Sequence, residues 1–219
     1  MTSTLDAEMA TAEVESTTAC WNGLAEASLA LSLLPPATVC VEQDLIDSCK
    51  RWSRPRPVCR HLGLVLTTRS AYRCMVARPF VDAIAERIDL SDDVRERAHT
   101  ALQEAVMNAV LHGNLELDSA LRDDLAGMDK THDTIEQLLL KPQVALSAIR
   151  IDAIWNAAEL LIMVRDSGSG FDKKLVPASE EWSAAGHIGS GRGFLILEAF
   201  CDRLALLRGG TLIRLGFHL

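Results

Sequence analysis

The chain has 219 residues, 48% hydrophobic and 24% charged, with a formal net charge of −8. That size fits one domain plus an appendage and buries a core without disulfide or metal staples. The acidic balance excludes a basic nucleic-acid footprint, and the longest uncharged N-terminal stretch, residues 27–41, is broken by Pro35-Pro36 and falls short of the ~20 residues a spanning helix needs.

The N-terminus carries Asp6, Glu8, Glu13 and Glu15 and no basic residue, so it does not read as a signal peptide. A cytoplasmic protein with neither nucleic acid nor membrane as partner is expected. Six cysteines (20, 40, 49, 59, 74 and 201) form no CxxC pair. A zinc site with His61 is the weaker reading of them, and reduced thiols the stronger.

In chain order, residues 1–60 read as an N-terminal extension and 61–219 as the main domain. Residues 1–26 hold five acids and no base and are expected to be mostly mobile. Residues 37–41 suit a strand. Residues 50–60 carry five basic residues, two prolines and no acid, a linker or a docking surface. A strand is expected over 61–68, then a helix opening near Pro79, with Phe80, Ile84 and Ile88 at four-residue spacing. Ser91 with Asp92 and Asp93 caps a long helix expected to stop at Gly113, its buried stripe Val94, Ala98, Ala101, Leu102, Ala105 and Ala109.

Residues 115–142 form a helical insert, with Leu121, Leu125 and Met128 on one face and Ile135, Leu138 and Leu139 following after a break. Strands are expected over 144–151 and 159–165, then a glycine-rich region and a helix over 194–201. A hairpin closes the chain, 203–207 and 211–217 joined through Gly209-Gly210. Early helices and late antiparallel strands give an α+β fold: a two-layer α/β sandwich with a mixed, mostly antiparallel sheet and helices on one face.

Three motifs carry chemistry. Glu104, Asn108 and His112 stand four apart and share a helix stripe. A carboxylate there can deprotonate a nucleophile and an amide oxygen can ligate Mg²⁺, although the same pattern describes a solvent-facing stripe. Asp166-Ser167-Gly168-Ser169-Gly170 ends a strand, where a carboxylate can accept from an exocyclic amine and the glycines admit a flat ring, or simply make a surface turn. Gly189-Ser190-Gly191-Arg192-Gly193 runs into a helix, offering backbone N–H groups to an anion, or serving as a flexible loop. Neither glycine cluster completes a Walker or Rossmann pattern.

Taken in order, the strings "LQEAVMNAVLHGN", "VRDSGSGFD", "GRGFLILEAFCDRL" and "GGTLIRL" resemble the histidine-kinase-like ATPase superfamily (the Bergerat fold). Within it they are most similar to the anti-sigma-factor serine/threonine kinases of bacterial partner-switch systems. The resemblance spans roughly residues 61–219 and implies ATP and Mg²⁺ as cofactors. It implies Asn108 as the Mg²⁺ ligand and Glu104 as the general base. His112 joins the cofactor-binding set. Asp166 would hold the adenine amino group, with Gly168 and Gly170 shaping its pocket. Gly189, Gly191, Arg192 and Gly193 would cover the phosphates, Thr211 would support the Asp166 end, and residues 171–190 would form a short lid.

The implied partners are a sigma factor and an antagonist protein, with a homodimer compatible. Two other functions fit less of the sequence. A non-catalytic nucleotide-gated binding module would use the insert or the extension as a grip. The catalytic domain of a two-component histidine kinase needs an upstream phospho-accepting histidine, which neither His61 nor His132 suits by position.

Overall fold

The computed structural model describes residues 17–49, 60–117, 125–170 and 192–219. Its strands are β1 (Thr18–Trp21), β2 (Val39–Glu42), β3 (His61–Thr67), β4 (Ala148–Trp155), β5 (Glu159–Arg165), β6 (Arg203–Leu207) and β7 (Leu212–His218). They form one sheet in the order β1-β2-β3-β4-β5-β7-β6. The pairings β1–β2 and β2–β3 are parallel and the rest antiparallel, so the sheet is mixed and mostly antiparallel, as expected. The helices are α1 (Glu26–Leu33), α2 (Ile46–Cys49), α3 (Thr68–Arg73), α4 (Ala77–Ala85), α5 (Asp92–Asn108), α6 (Leu125–Leu139), α7 (Pro142–Ala145) and α8 (Arg192–Phe200). No helix among the described residues is long and apolar enough to cross a membrane.

Period-two patterning sets the inner face of the sheet. Ile149, Ile151 and Ala153 of β4, Leu160, Ile162 and Val164 of β5, and Ile213, Leu215 and Phe217 of β7 are all buried in the main core. The stripe of α5 meets them with Ala98, Ala101, Leu102, Ala105 and Val106. Small residues there let the helix lie close to the strands. β3 is buried almost throughout because both its faces are covered. Leu62, Leu64 and Leu66 join the main core, while Val65 packs on the opposite face with Val41 and with Leu45 of the 3₁₀ turn Gln43–Leu45.

The sheet crosses residue 61 without a break. Residues 17–26 were expected to be mostly mobile, yet Thr18–Trp21 is β1, because Trp21 is 1% exposed and donates its indole N–H to Ala25 O and Ser28 Oγ. Leu29 and Leu33 of α1 enter the same core. At the other end of β2, Glu42 is 2% exposed and accepts from Thr67 N, Thr67 Oγ1 and Ser70 Oγ. Its carboxylate thereby fixes the corner where β3 turns into α3, a helix that apolar periodicity does not announce.

Other expectations shift by a turn. Ser91 caps α5 by accepting from Val94 N at 3.3 Å. Beyond Asn108 the path continues as a π-helical turn, Ala109–Asn114, passing through Gly113 instead of stopping at it. α6 runs unbroken over Leu125–Leu139, so the expected break is absent; Ile135 and Leu139 are buried and Leu138 is half-buried. Val144 belongs to α7, which Pro142 opens at a position where its missing N–H costs nothing, and β4 therefore begins at Ala148.

Candidate functional site

The site lies where α5, its π-helical extension, the end of β5 and the start of α8 meet. Glu104 and Asn108 are one turn apart on α5. Asn108 is 8% exposed, and its Nδ2 has no hydrogen-bond partner among the described residues. An orphaned buried amide costs a fold about 1–3 kcal/mol, so an amide kept there points to a ligand. Gly193, in the first turn of α8, faces the same two side chains. A Cβ on it would overlap Glu104 Oε1 and stand 3.4 Å from Asn108 Nδ2. A side chain at this position would have to displace the end of the Glu104 side chain.

The other half of the site centres on Asp166, just past β5 and 9% exposed. Its backbone N–H donates to Thr211 O at 3.2 Å, and its Oδ1 accepts from Gly168 N at 2.8 Å. Among the described residues the carboxylate is bonded by Gly168 N on Oδ1 and by its own backbone N–H, which leaves acceptor capacity for a donor on a ligand. Burial raises the Asp166 pKa above its ordinary value, and the Gly168 N–H opposes that rise. Gly113 and Gly168 make room for this arrangement. A Cβ on Gly113 would lie 2.6 Å from Asp166 Cγ, and one on Gly168 would strike the Gly113 carbonyl. Gly170 adopts φ +80 against the Gly209 carbonyl, so the Asp166 loop is pinned to the β6–β7 turn.

The described residues thus form two groups, Glu104 and Asn108 with Gly193, and Asp166 with Gly113 and Gly168, with Thr211 holding the Asp166 main chain through its carbonyl while its hydroxyl donates to Arg208 O and Gly170 lies against Gly209. His112 has a partner of its own within the fold. It lies in the π-helical turn, and its Nδ1 pairs with Leu117 O at 2.8 Å, at the start of the insert. Gly189, Gly191 and residues 171–190 lie outside the described residues, as does the side chain of Arg192, where α8 begins.

The sequence alone assigns no role to Asn114 or Thr68. Asn114 accepts from Ser167 N through Oδ1 at 2.7 Å and donates through Nδ2 to Thr68 Oγ1 at 2.7 Å. Ser167 Oγ in turn donates to Ala148 O at 2.8 Å. The signal was the polar residue immediately after His112-Gly113, at a point where the helix had been expected to end.

Among the described residues no three His, Cys, Asp or Glu side chains gather as a metal site. His61 instead donates to Asp152 Oδ1 at 2.9 Å on the face of the sheet away from α5. No curated protein sequence matches the chain. A family model described as the histidine kinase-like ATPase domain matches residues 68–217, a span that contains every element of the site.

Proposed function

This chain belongs to the histidine kinase-like ATPase family, an ATP-binding domain family, and from that premise we propose that it is a serine/threonine protein kinase of the anti-sigma-factor type. In this reading it transfers the γ-phosphoryl group of ATP to a hydroxyl on an antagonist protein and alternately holds a sigma factor. The observation that carries it is Glu104 beside Asn108, whose Nδ2 has no partner among the described residues, under the Gly193 backbone. A carboxylate one helical turn from a phosphate-facing amide is placed to serve a hydroxyl nucleophile.

The residues fit Mg²⁺–ATP. An amide can present its oxygen to a hard cation or its nitrogen to a phosphate oxygen, and Asn108 has polar capacity unspent. Mg²⁺, when bound, neutralises phosphate charge. Asp166 takes a hydrogen bond from the adenine amino group, with Gly113 and Gly168 packed closely beside it. Glu104 accepts the proton of the incoming serine or threonine. That hydroxyl oxygen bonds to the γ-phosphorus as the bond from the phosphorus to the β,γ-bridging oxygen breaks, and ADP leaves.

The test is transfer of labelled γ-phosphate to candidate antagonists, with Glu104→Ala as control. Transfer by the wild type and none by the variant, at equal ATP affinity, is expected. Tight ATP binding with no transfer to any antagonist would overturn the kinase and leave a nucleotide-gated binding module.

A further inference from the structure

Four pieces of chain meet beside Asp166, and one side chain ties them. Asn114 ends the π-helical turn that extends α5. Its Oδ1 accepts from Ser167 N, the residue after Asp166, at 2.7 Å. Its Nδ2 donates to Thr68 Oγ1, at the start of α3, at 2.7 Å, and reaches Ala148 O, at the start of β4, at 3.4 Å. Thr68 passes its own hydroxyl proton to Ser147 O at 2.9 Å, and Ser167 Oγ donates to Ala148 O at 2.8 Å. Both halves of the Asn114 amide are therefore used, in directions that only this orientation satisfies.

We propose that Asn114 is a positioning residue that sets base specificity by fixing the main chain on which Asp166 sits. This rests on the reading of Asp166 as the acceptor for the adenine amino group. The Asp166 main chain is held by its N–H to Thr211 O, its carboxylate by Gly168 N on Oδ1, and the peptide joining Asp166 to Ser167 by Asn114. Freed at Ser167, the loop can swing the carboxylate away from the donor it must meet within hydrogen-bond distance. Adenine presents an amino group at that position and guanine a carbonyl oxygen, which a fixed carboxylate repels. A rigid Asp166 therefore selects for adenine and against guanine, and a loosened one loses both effects. Phosphate contacts at the Asn108 end do not depend on the base, so they leave the ratio unchanged.

The experiment measures ATP and GTP affinity for the full chain and for Asn114→Ala, Asn114→Asp, Thr68→Val and Asp166→Ala. Asn114→Asp keeps the acceptor for Ser167 N and forfeits the donor to Thr68. Asn114→Ala is expected to lower ATP affinity about tenfold with GTP changed less than about threefold, collapsing the preference, since one hydrogen bond to a positioned donor controls discrimination of this order. Asn114→Asp should retain most of the preference, and Thr68→Val should lose an intermediate part. Equal losses for ATP and GTP in Asn114→Ala, or an unchanged ratio, would overturn the proposal in favour of a purely structural amide. Should Asp166→Ala itself leave ATP affinity intact, the base reading fails instead, and the two failures are told apart.

Discussion

Gly113 and Asp166 stand so close that one methyl group on the glycine would lie 2.6 Å from the aspartate's carboxyl carbon. The glycine is thus a spacer and not a helix stop, since the helical path runs on through it to Asn114. Gly113→Ala is expected to push Asp166 off its Gly168 and Thr211 bonds. ATP affinity should fall at least about tenfold, with about 1–3 kcal/mol of overpacking strain in the fold. Calorimetric titration with ATP and a denaturant melt of the same variant check both halves. Wild-type affinity would remove the spacer role.

Asn108 makes the opposite prediction for stability. Its Nδ2 is buried with no partner among the described residues, a cost that ligand binding would relieve. Asn108→Leu is expected to leave the ligand-free melting temperature unchanged or higher, while ATP no longer raises it. Thermal melts with and without nucleotide read this directly. A variant that melts lower and still gains from ATP would mean that the amide is structural.

Titration of Asp166 should be visible in binding. Burial raises its pKa above the ordinary aspartate value, so protonation begins at a higher pH than the usual value of about 3.9. The acceptor form is present above that raised pKa and is lost as pH falls through it, so ATP affinity should drop over the same window. Asp166→Asn cannot titrate there and should lose this step while keeping the one due to the phosphates. Superimposable profiles for the two proteins would refute the assignment.

On the opposite face of the sheet, Asp152 receives His61 Nε2–H at 2.9 Å and Arg150 Nε and NH2 at 2.5 and 2.9 Å. Burial alone raises the Asp152 pKa, and the bonds from His61 and Arg150 outweigh it, holding the carboxyl below its ordinary value. A depressed folded-state pKa gives stability that is present above the unfolded value and lost as pH falls through the folded one. Asp152→Asn is expected to cost about 1–3 kcal/mol at neutral pH, the range for bonds to a charged group. Most of that difference from wild type should vanish in acid, below the ordinary carboxylate range. A pH-independent deficit would locate the loss in packing.

Residue periodicity made much of this legible and marks where legibility ends. Alternation in β5 and β7, the Ser91 cap and the alanine stripe of α5 are local signals, and each stands where the sequence places it. The π-helical turn is not local. Within it Gly113 packs against Asp166 from the far end of β5, and His112 pairs with Leu117 O. α3 is likewise held by Glu42 from another strand. The Glu104–Asn108 pair was legible because four-residue spacing guarantees a shared face. Asn114 was not, because its partners, Thr68, Ala148 and Ser167, are adjacent only in space.

The first two strands also decide what can be cut away. β2 occupies the main-chain groups of one side of β3 over Gly63, Leu64 and Val65, and α1 covers the core with Leu29 and Leu33. A chain begun at residue 61 would leave β3 as an open, almost wholly apolar edge, a template for pairing with its own copies. Such a fragment should aggregate even though it retains every site residue, and light scattering would detect it. The segment before residue 61 is then a plug against self-assembly, whatever partner it also meets.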